Sequence, residues 1–166
     1  MKNSFFFLAI VLLGFLSCRN DNVTGQQIDQ VIHLYIDSAN QDMLNSKIPN
    51  SYTDVKMNDV YGITDNAPVT FSPKIGITDT IHFIEYVAGA RRIRIDSTAT
   101  FKTYESKIAL RLTKKTSATT NTIINDTLTV SYLWTPELFQ VSKIWYNNSL
   151  KFTKVEGQPN IVKITK

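Results

Sequence analysis

The sequence predicts an all-β protein, a single antiparallel β-sandwich of immunoglobulin-like, Greek-key type. Three observations carry that expectation. Apolar residues recur at every second position in one segment after another, turn-forming residues separate the segments, and no long stretch repeats apolar residues at helical spacing. About seven to nine short strands are expected, and an up-and-down barrel with an internal cavity is the alternative the same pattern allows.

Taken in order, the first alternation places Ile32, Leu34 and Ile36 on one face and Val31, His33 and Tyr35 on the other, until the polar stretch 37–42 breaks it. Residues 81–87 alternate with both faces largely apolar, which predicts a central strand. Ile108, Leu110 and Leu112 alternate with Lys107, Ala109 and Arg111, and the polar stretch 113–122 that follows reads as a loop. Leu128, Val130, Tyr132 and Trp134 oppose Thr127, Thr129 and Ser131, the cleanest half-buried strand in the chain. Thr135-Pro136-Glu137-Leu138 has a capping threonine before a proline, which predicts one helical turn. Segments 143–146 and 150–152 flank Asn147-Asn148, a pair able to take the positive φ of a tight hairpin. Trp134 and Trp145 are expected in the core, although their rings also suit a sugar platform.

The N-terminus reads as an address. Lys2 precedes the uncharged apolar run 5–16, and the run ends at Ser17-Cys18 and Arg19, the build of a secretory signal. The run is too short to span a bilayer, which takes roughly 20 apolar residues. Phe15-Leu16-Ser17-Cys18 resembles the lipobox of bacterial lipoproteins, with Phe15 standing where Leu is commonest. The resemblance implies cleavage after residue 17, diacylation of the Cys18 thiol and acylation of the new N-terminus. The expected organisation is a cleaved signal peptide over 1–17, a lipidated tether over 18–27 and one β-domain over 28–166. The expected location is the outer membrane, held by lipid, on the cell surface or the periplasmic face. Cys18 is the only cysteine, so disulfides, thiolate catalysis and Cys-ligated metal are excluded from the mature domain.

Charge is divided along the chain. Segment 19–86 holds 4 Lys/Arg against 9 Asp/Glu, and segment 87–166 holds 13 against 5. Arg91, Arg92, Arg94 and Arg111 head the basic half and form a candidate patch for an anionic glycan, headgroups or an acidic partner. The alternation of Arg92, Arg94 and Asp96 with Ile93 and Ile95 equally describes the solvent face of a strand. Nucleic acid is not an expected partner of a lipid-anchored envelope protein.

Gln41-Asp42-Met43-Leu44-Asn45, Ile48-Pro49-Asn50-Ser51-Tyr52, Asn125-Asp126-Thr127-Leu128 and the segment 142–148 together resemble small uncharacterised all-β lipoproteins of Bacteroidota. Ser46 and Asn148 depart from that group's usual Pro and Gly, and both remain turn residues. The resemblance implies an outer-membrane lipoprotein and carries no catalytic residues. In that setting Asp37-Ser38-Ala39, Asp79-Thr80-Ile81, Asp96-Ser97-Thr98 and Asp126-Thr127-Leu128 look like O-glycosylation acceptors at Ser38, Thr80, Ser97 and Thr127. The same pattern also arises wherever a strand begins after a turn.

Catalytic chemistry is sparse, and no enzyme activity is expected. His33 and His82, the only histidines, both fall in strand-like segments, and no nucleophile elbow, zinc motif or phosphate loop is present. Glu85 is the one glutamate inside an apolar strand, and an ion pair is its expected state, with a carboxylate-based hydrolase as the alternative function. Asp37, Asn40 and Asp42 carry oxygens suited to calcium, but their spacing fits a turn better than a calcium loop. No cofactor and no metal are expected. The expected function is a non-catalytic binding or accessory domain with an envelope protein or glycan as partner; a structural part in a surface assembly is the third possibility.

Overall fold

The alternating segments fold into two sheets packed face to face. The structure, a computed structural model, describes residues 25–117 and 119–166. Its strands are β1 (Gln27–Asp29), β2 (Val31–Ser38), β3 (Gln41–Asp42), β4 (Tyr52–Asp59), β5 (Ser72–Ile75), β6 (His82–Val87), β7 (Ile93–Ser97), β8 (Lys102–Lys115), β9 (Asn121–Trp134), β10 (Leu138–Tyr146), β11 (Ser149–Thr153) and β12 (Asn160–Thr165). The first sheet centres on the meander β8-β9-β10, with β4 and β7 against the free side of β8 and β1 and β11 against that of β10. The second runs β12-β2-β6-β5, with β3 folded back onto the end of β2. The chain changes sheet at the β1–β2, β3–β4, β4–β5, β6–β7 and β11–β12 connections. Those crossings make a sandwich and not an up-and-down barrel, in which each strand would pair with the next.

The sequence periodicity is the packing. Ile32, Leu34 and Ile36 of β2, Ile84 and Tyr86 of β6, and Val162 and Ile164 of β12 face Ile108, Leu110 and Leu112 of β8 and Leu128, Val130 and Tyr132 of β9, all at most 2% exposed. Each such aliphatic side chain contributes about 1.5–3 kcal/mol by leaving water. Asn147 and Asn148 take φ of 47° and 66°, the two left-handed residues of a type I′ hairpin joining β10 to β11. Ala39 and Asn40, at 48° and 63°, turn β2 into β3 the same way.

Several expectations are corrected. Two pairings are parallel, β1 with β10 and β12 with β2, because both unite strands far apart in the chain, which a local alternation does not report. Residues 135–138 form no helix: Thr135 N–H donates to the Leu138 carbonyl at 2.7 Å, and the Trp134 to Phe139 pairing leaves room only for a strand reversal. Strands occupy both ends of the stretch expected as a loop, β8 running to Lys115 and β9 starting at Asn121. Strand β6 is central but buries one face only; among the described residues no element covers the outside of its sheet, and Val87 stays 53% exposed.

Neither tryptophan is fully buried. A bulge between Val141 and Lys143 shifts the alternation of β10, so Ile144 and Tyr146 join Val141 in the core and Trp145 turns outward. Trp134 keeps the inward face of Tyr132 but sits at the open end of the sandwich, half-buried, with the Lys102 ammonium 4.2 Å from its ring centre.

Candidate ligand-binding cleft

The residues singled out by sequence are widely dispersed. Cys18 and the segment 1–17 lie outside the described residues. Thr80 and Ser97 are exposed, Thr80 at the tip of the β5–β6 hairpin and Ser97 at the end of the edge strand β7. Ser38 closes β2 and donates its hydroxyl to the Lys166 carbonyl at 2.8 Å. Thr127 is half-buried within β9, and its motif partner Asp126 is turned inward, occupied by Tyr146, Asn147 and Lys166. Two of the four acceptor motifs, those of Thr80 and Ser97, thus present both their Asp and their hydroxyl residue to solvent.

The four arginines form no common patch. Arg92 reaches into the open end of the sandwich, its guanidinium carbon 4.8 Å from the Tyr132 ring centre and 4.9 Å from that of Phe139, and it donates to Gln30 Oε1 at 2.7 Å and to the Ala88 carbonyl. Arg91 binds the Tyr61 carbonyl, and Arg94 stands exposed on β7 opposite Tyr104 of β8. Arg111 sits seven residues further along β8, roughly 23 Å away at strand rise. Arg92 therefore fails the solvent-face expectation: it closes the end of the core.

The acid–base candidates are engaged with one another. Glu85 lies 3.6 Å from His33 Nε2 and 3.7 Å from Lys74 Nζ, so the ion pair expected of it is made with a lysine. Glu85 also borders a cleft of about 350 Å³ that Asp59 reaches from the other sheet. Both Asp59 oxygens accept backbone N–H bonds, from Tyr61 at 2.9 Å and Arg91 at 2.6 Å. His82 is fixed by Asp42, whose Oδ2 takes the His82 backbone N–H at 2.9 Å and contacts Nδ1 at 2.8 Å. Among the described residues no three carboxylate or imidazole groups converge on one point able to hold a metal.

What the fold does assemble is a cleft of about 400 Å³ on the uncovered face of the second sheet. Three elements build it. Strand register sets Tyr35 of β2 beside Lys163 of β12, with Asp37 one outward position further along. The Ala39-Asn40 turn supplies Asn40, and the β5–β6 hairpin brings Asp79 and Ile81 to the opposite rim. Ile161 completes the apolar wall, and Phe83 stacks on Tyr35 with ring centres 5.1 Å apart. Thr80 holds φ of 57°, a costly setting for a β-branched residue, beside Asp79, whose Oδ1 accepts the Ile81 N–H at 3.1 Å. Desolvation first, and the Asp79 charge second, push the Tyr35 phenol above its ordinary pKa.

The Asp42–His82 contact ties the two rims together. Asp42 belongs to β3 and His82 opens β6, so their bonds lock the Asn40 turn against the strand that carries the Asp79 hairpin. Sequence reasoning found Asp37, Asn40 and Asp42 but not Tyr35, Asp79 or Lys163 as their neighbours. The missing signal is the parallel β2–β12 pairing, which joins the two ends of the domain. No protein-family model, curated protein or solved structure matches the chain.

Proposed function

We propose that the chain is a non-catalytic binding domain, held at the outer membrane by acyl chains on Cys18 and presenting the cleft of β2, β12 and the β5–β6 hairpin to its partner. The observation that carries this reading is the opposition of the two ends of the sandwich. The chain enters at Gln26 and Gln27, beside the start of β10, where Gln26 donates to the Thr135 carbonyl at 2.6 Å. From there β2 runs the length of the second sheet before it reaches Asp37 and the Asn40 turn. A tether on Cys18 thus attaches at one end while the cleft opens near the other. Two acyl chains already suffice for stable anchoring, since each buried methylene contributes about 0.8 kcal/mol.

Glu85, on which the hydrolase alternative rests, is paired with Lys74 and does not line this cleft, which supports binding over Glu85-based hydrolysis there. The test is metabolic labelling of the full-length chain with an alkyne fatty acid, followed by membrane fractionation and protease treatment of intact cells. The native chain is expected to take up label and sediment with outer membrane, and Cys18→Ser to lose both properties. Unlabelled native protein, or a Cys18→Ser variant that remains membrane-bound, refutes the lipid tether. Protection from protease until lysis places the domain on the periplasmic side.

A further inference from the structure

We infer that the cleft between the Asn40 turn and the Asp79 hairpin is a site for a neutral polyhydroxylated ligand, a sugar ring or short oligosaccharide. The inference deepens the binding-domain reading and rests on it. Its ground is the inventory of polar atoms that the fold leaves uncommitted around an apolar wall. Asp37 uses Oδ1 for the Thr165 hydroxyl at 3.1 Å, and Asp79 uses Oδ1 for Ile81 N–H, which leaves the second oxygen of each without a partner among the described residues. The Asn40 amide, the Tyr35 hydroxyl and the Lys163 ammonium likewise make no hydrogen bond to another described residue, although all three line the cleft. Asp42 is spent, with Oδ1 on Leu44 N–H at 3.0 Å and Oδ2 on His82.

The free set mixes two anionic acceptors, one cationic donor, and an amide and a phenol that do both. Hydroxyl groups, each a donor and an acceptor, satisfy such a mixture on several sides at once. Other ligand classes match it poorly. An anion meets two carboxylates against one lysine, and a compact cation meets Lys163 and leaves the amide donors unmatched. An apolar ligand strips water from Asp37, Asp79 and Lys163 and returns no hydrogen bond, at a cost of several kcal/mol. The wall suits the C–H faces of a sugar: Ile81 and Ile161 are 42% and 39% exposed, and the Tyr35 ring lies between acidic groups. The Asp42–His82 lock spares the ligand the entropy of ordering two loops, which is how a shallow site gains affinity.

The test presents full-length protein in detergent to immobilised neutral oligosaccharides and to uronate-bearing and sulfated ones, with Tyr35→Ala, Asp79→Asn and Trp134→Phe as variants. Asp79→Asn keeps an acceptor for Ile81 N–H, and thermal unfolding verifies that each variant is folded. Neutral sugars are expected to be retained, with at least about tenfold weaker retention by Tyr35→Ala and Asp79→Asn and no change in Trp134→Phe, at the opposite end. Retention of anionic sugars alone overturns the ligand class. Neutral retention equal in all variants overturns the site, and no retention by folded native protein overturns the inference while leaving the tether test to judge the binding-domain reading. A sugar recovered shortened, in a reaction that the cleft variants abolish, supports the site and overturns the non-catalytic reading beneath it.

Discussion

Replacing Asp126 by Ala should be among the most destabilising single changes in the domain. The carboxylate, only 6% exposed, bridges the two sheets from β9: Oδ2 accepts the Tyr146 hydroxyl at 2.6 Å and the ammonium of Lys166, and Oδ1 accepts Asn147 Nδ2 at 2.6 Å. Lys166 belongs to the second sheet's end, where its backbone N–H also donates to the Asp37 carbonyl at 2.9 Å. Alanine leaves the Tyr146 hydroxyl without its carboxylate partner in a residue that is 5% exposed, at about 1–3 kcal/mol. Lys166, 21% exposed, and Asn147 recover part of their hydrogen bonding from water, so the pair contributes less than a fully buried one. The expected total is about 3 kcal/mol, or about 6–12 °C in Tm for a domain of this size.

The pH dependence has a definite sign. Burial alone would raise the Asp126 pKa, but hydrogen bonds from Asn147, Lys166 and Tyr146 together with the Lys166 charge carry it below the ordinary carboxylate value. A depressed folded pKa contributes stability that is present above the unfolded value of about 4 and is lost as pH falls through the folded one. Urea unfolding at pH 7 and at pH 3 therefore should give a gap between native protein and Asp126→Ala that narrows on acidification. A loss under about 1 kcal/mol at pH 7, or a gap unchanged by pH, refutes the reasoning.

Three further outcomes follow from the packing. Removing either hydroxyl of the fully buried Ser106–Tyr132 pair, 2.9 Å apart, should cost about 1–3 kcal/mol, and the double variant Ser106→Ala/Tyr132→Phe should cost less than the sum, as a double-mutant cycle in urea will show. Arg92→Met, which keeps the stem that fills the sandwich end over Tyr132 and Phe139, should stay within about 1 kcal/mol of native stability, whereas Arg92→Ala should lose about 2. Asn147→Ala places a non-glycine, non-asparagine residue at φ 47° and removes the acceptor of Thr127 N–H at 2.8 Å, so chemical denaturation should report a loss of about 2 kcal/mol; Asn147→Gly should lose less, because it keeps the turn.

The strands were legible where one face is buried and the other wet. Ile32, Leu34 and Ile36, or Leu128, Val130 and Tyr132, sit on a period of two that any covered sheet imposes, and Asn147-Asn148 names its own turn. Trp145 was misplaced because a one-residue bulge before Lys143 reverses every later side chain in β10 without altering the local composition. Arg92 misled for another reason: its stem and planar head pack on aromatic rings, so a formal charge does not imply a solvent position. Half of the cleft was visible as the polar run 37–42. The other half, Asp79 and Lys163, arrives through β6 and β12 pairing with β2, contacts set by topology and absent from any local pattern.

The proposed binding mode seats the ligand in the cleft formed by β2, β12 and the β5–β6 hairpin. Titrating isotopically labelled protein with a neutral oligosaccharide, while following backbone amide resonances, tests it most directly. The account predicts shifts confined to Tyr35, Asp37, Asn40, Asp79, Ile81 and Lys163, with the resonances of Trp134 and Arg92 unmoved. Shifts centred on Trp134 and Arg92 at the chain-entry end would contradict it, as would a spectrum that no neutral sugar perturbs.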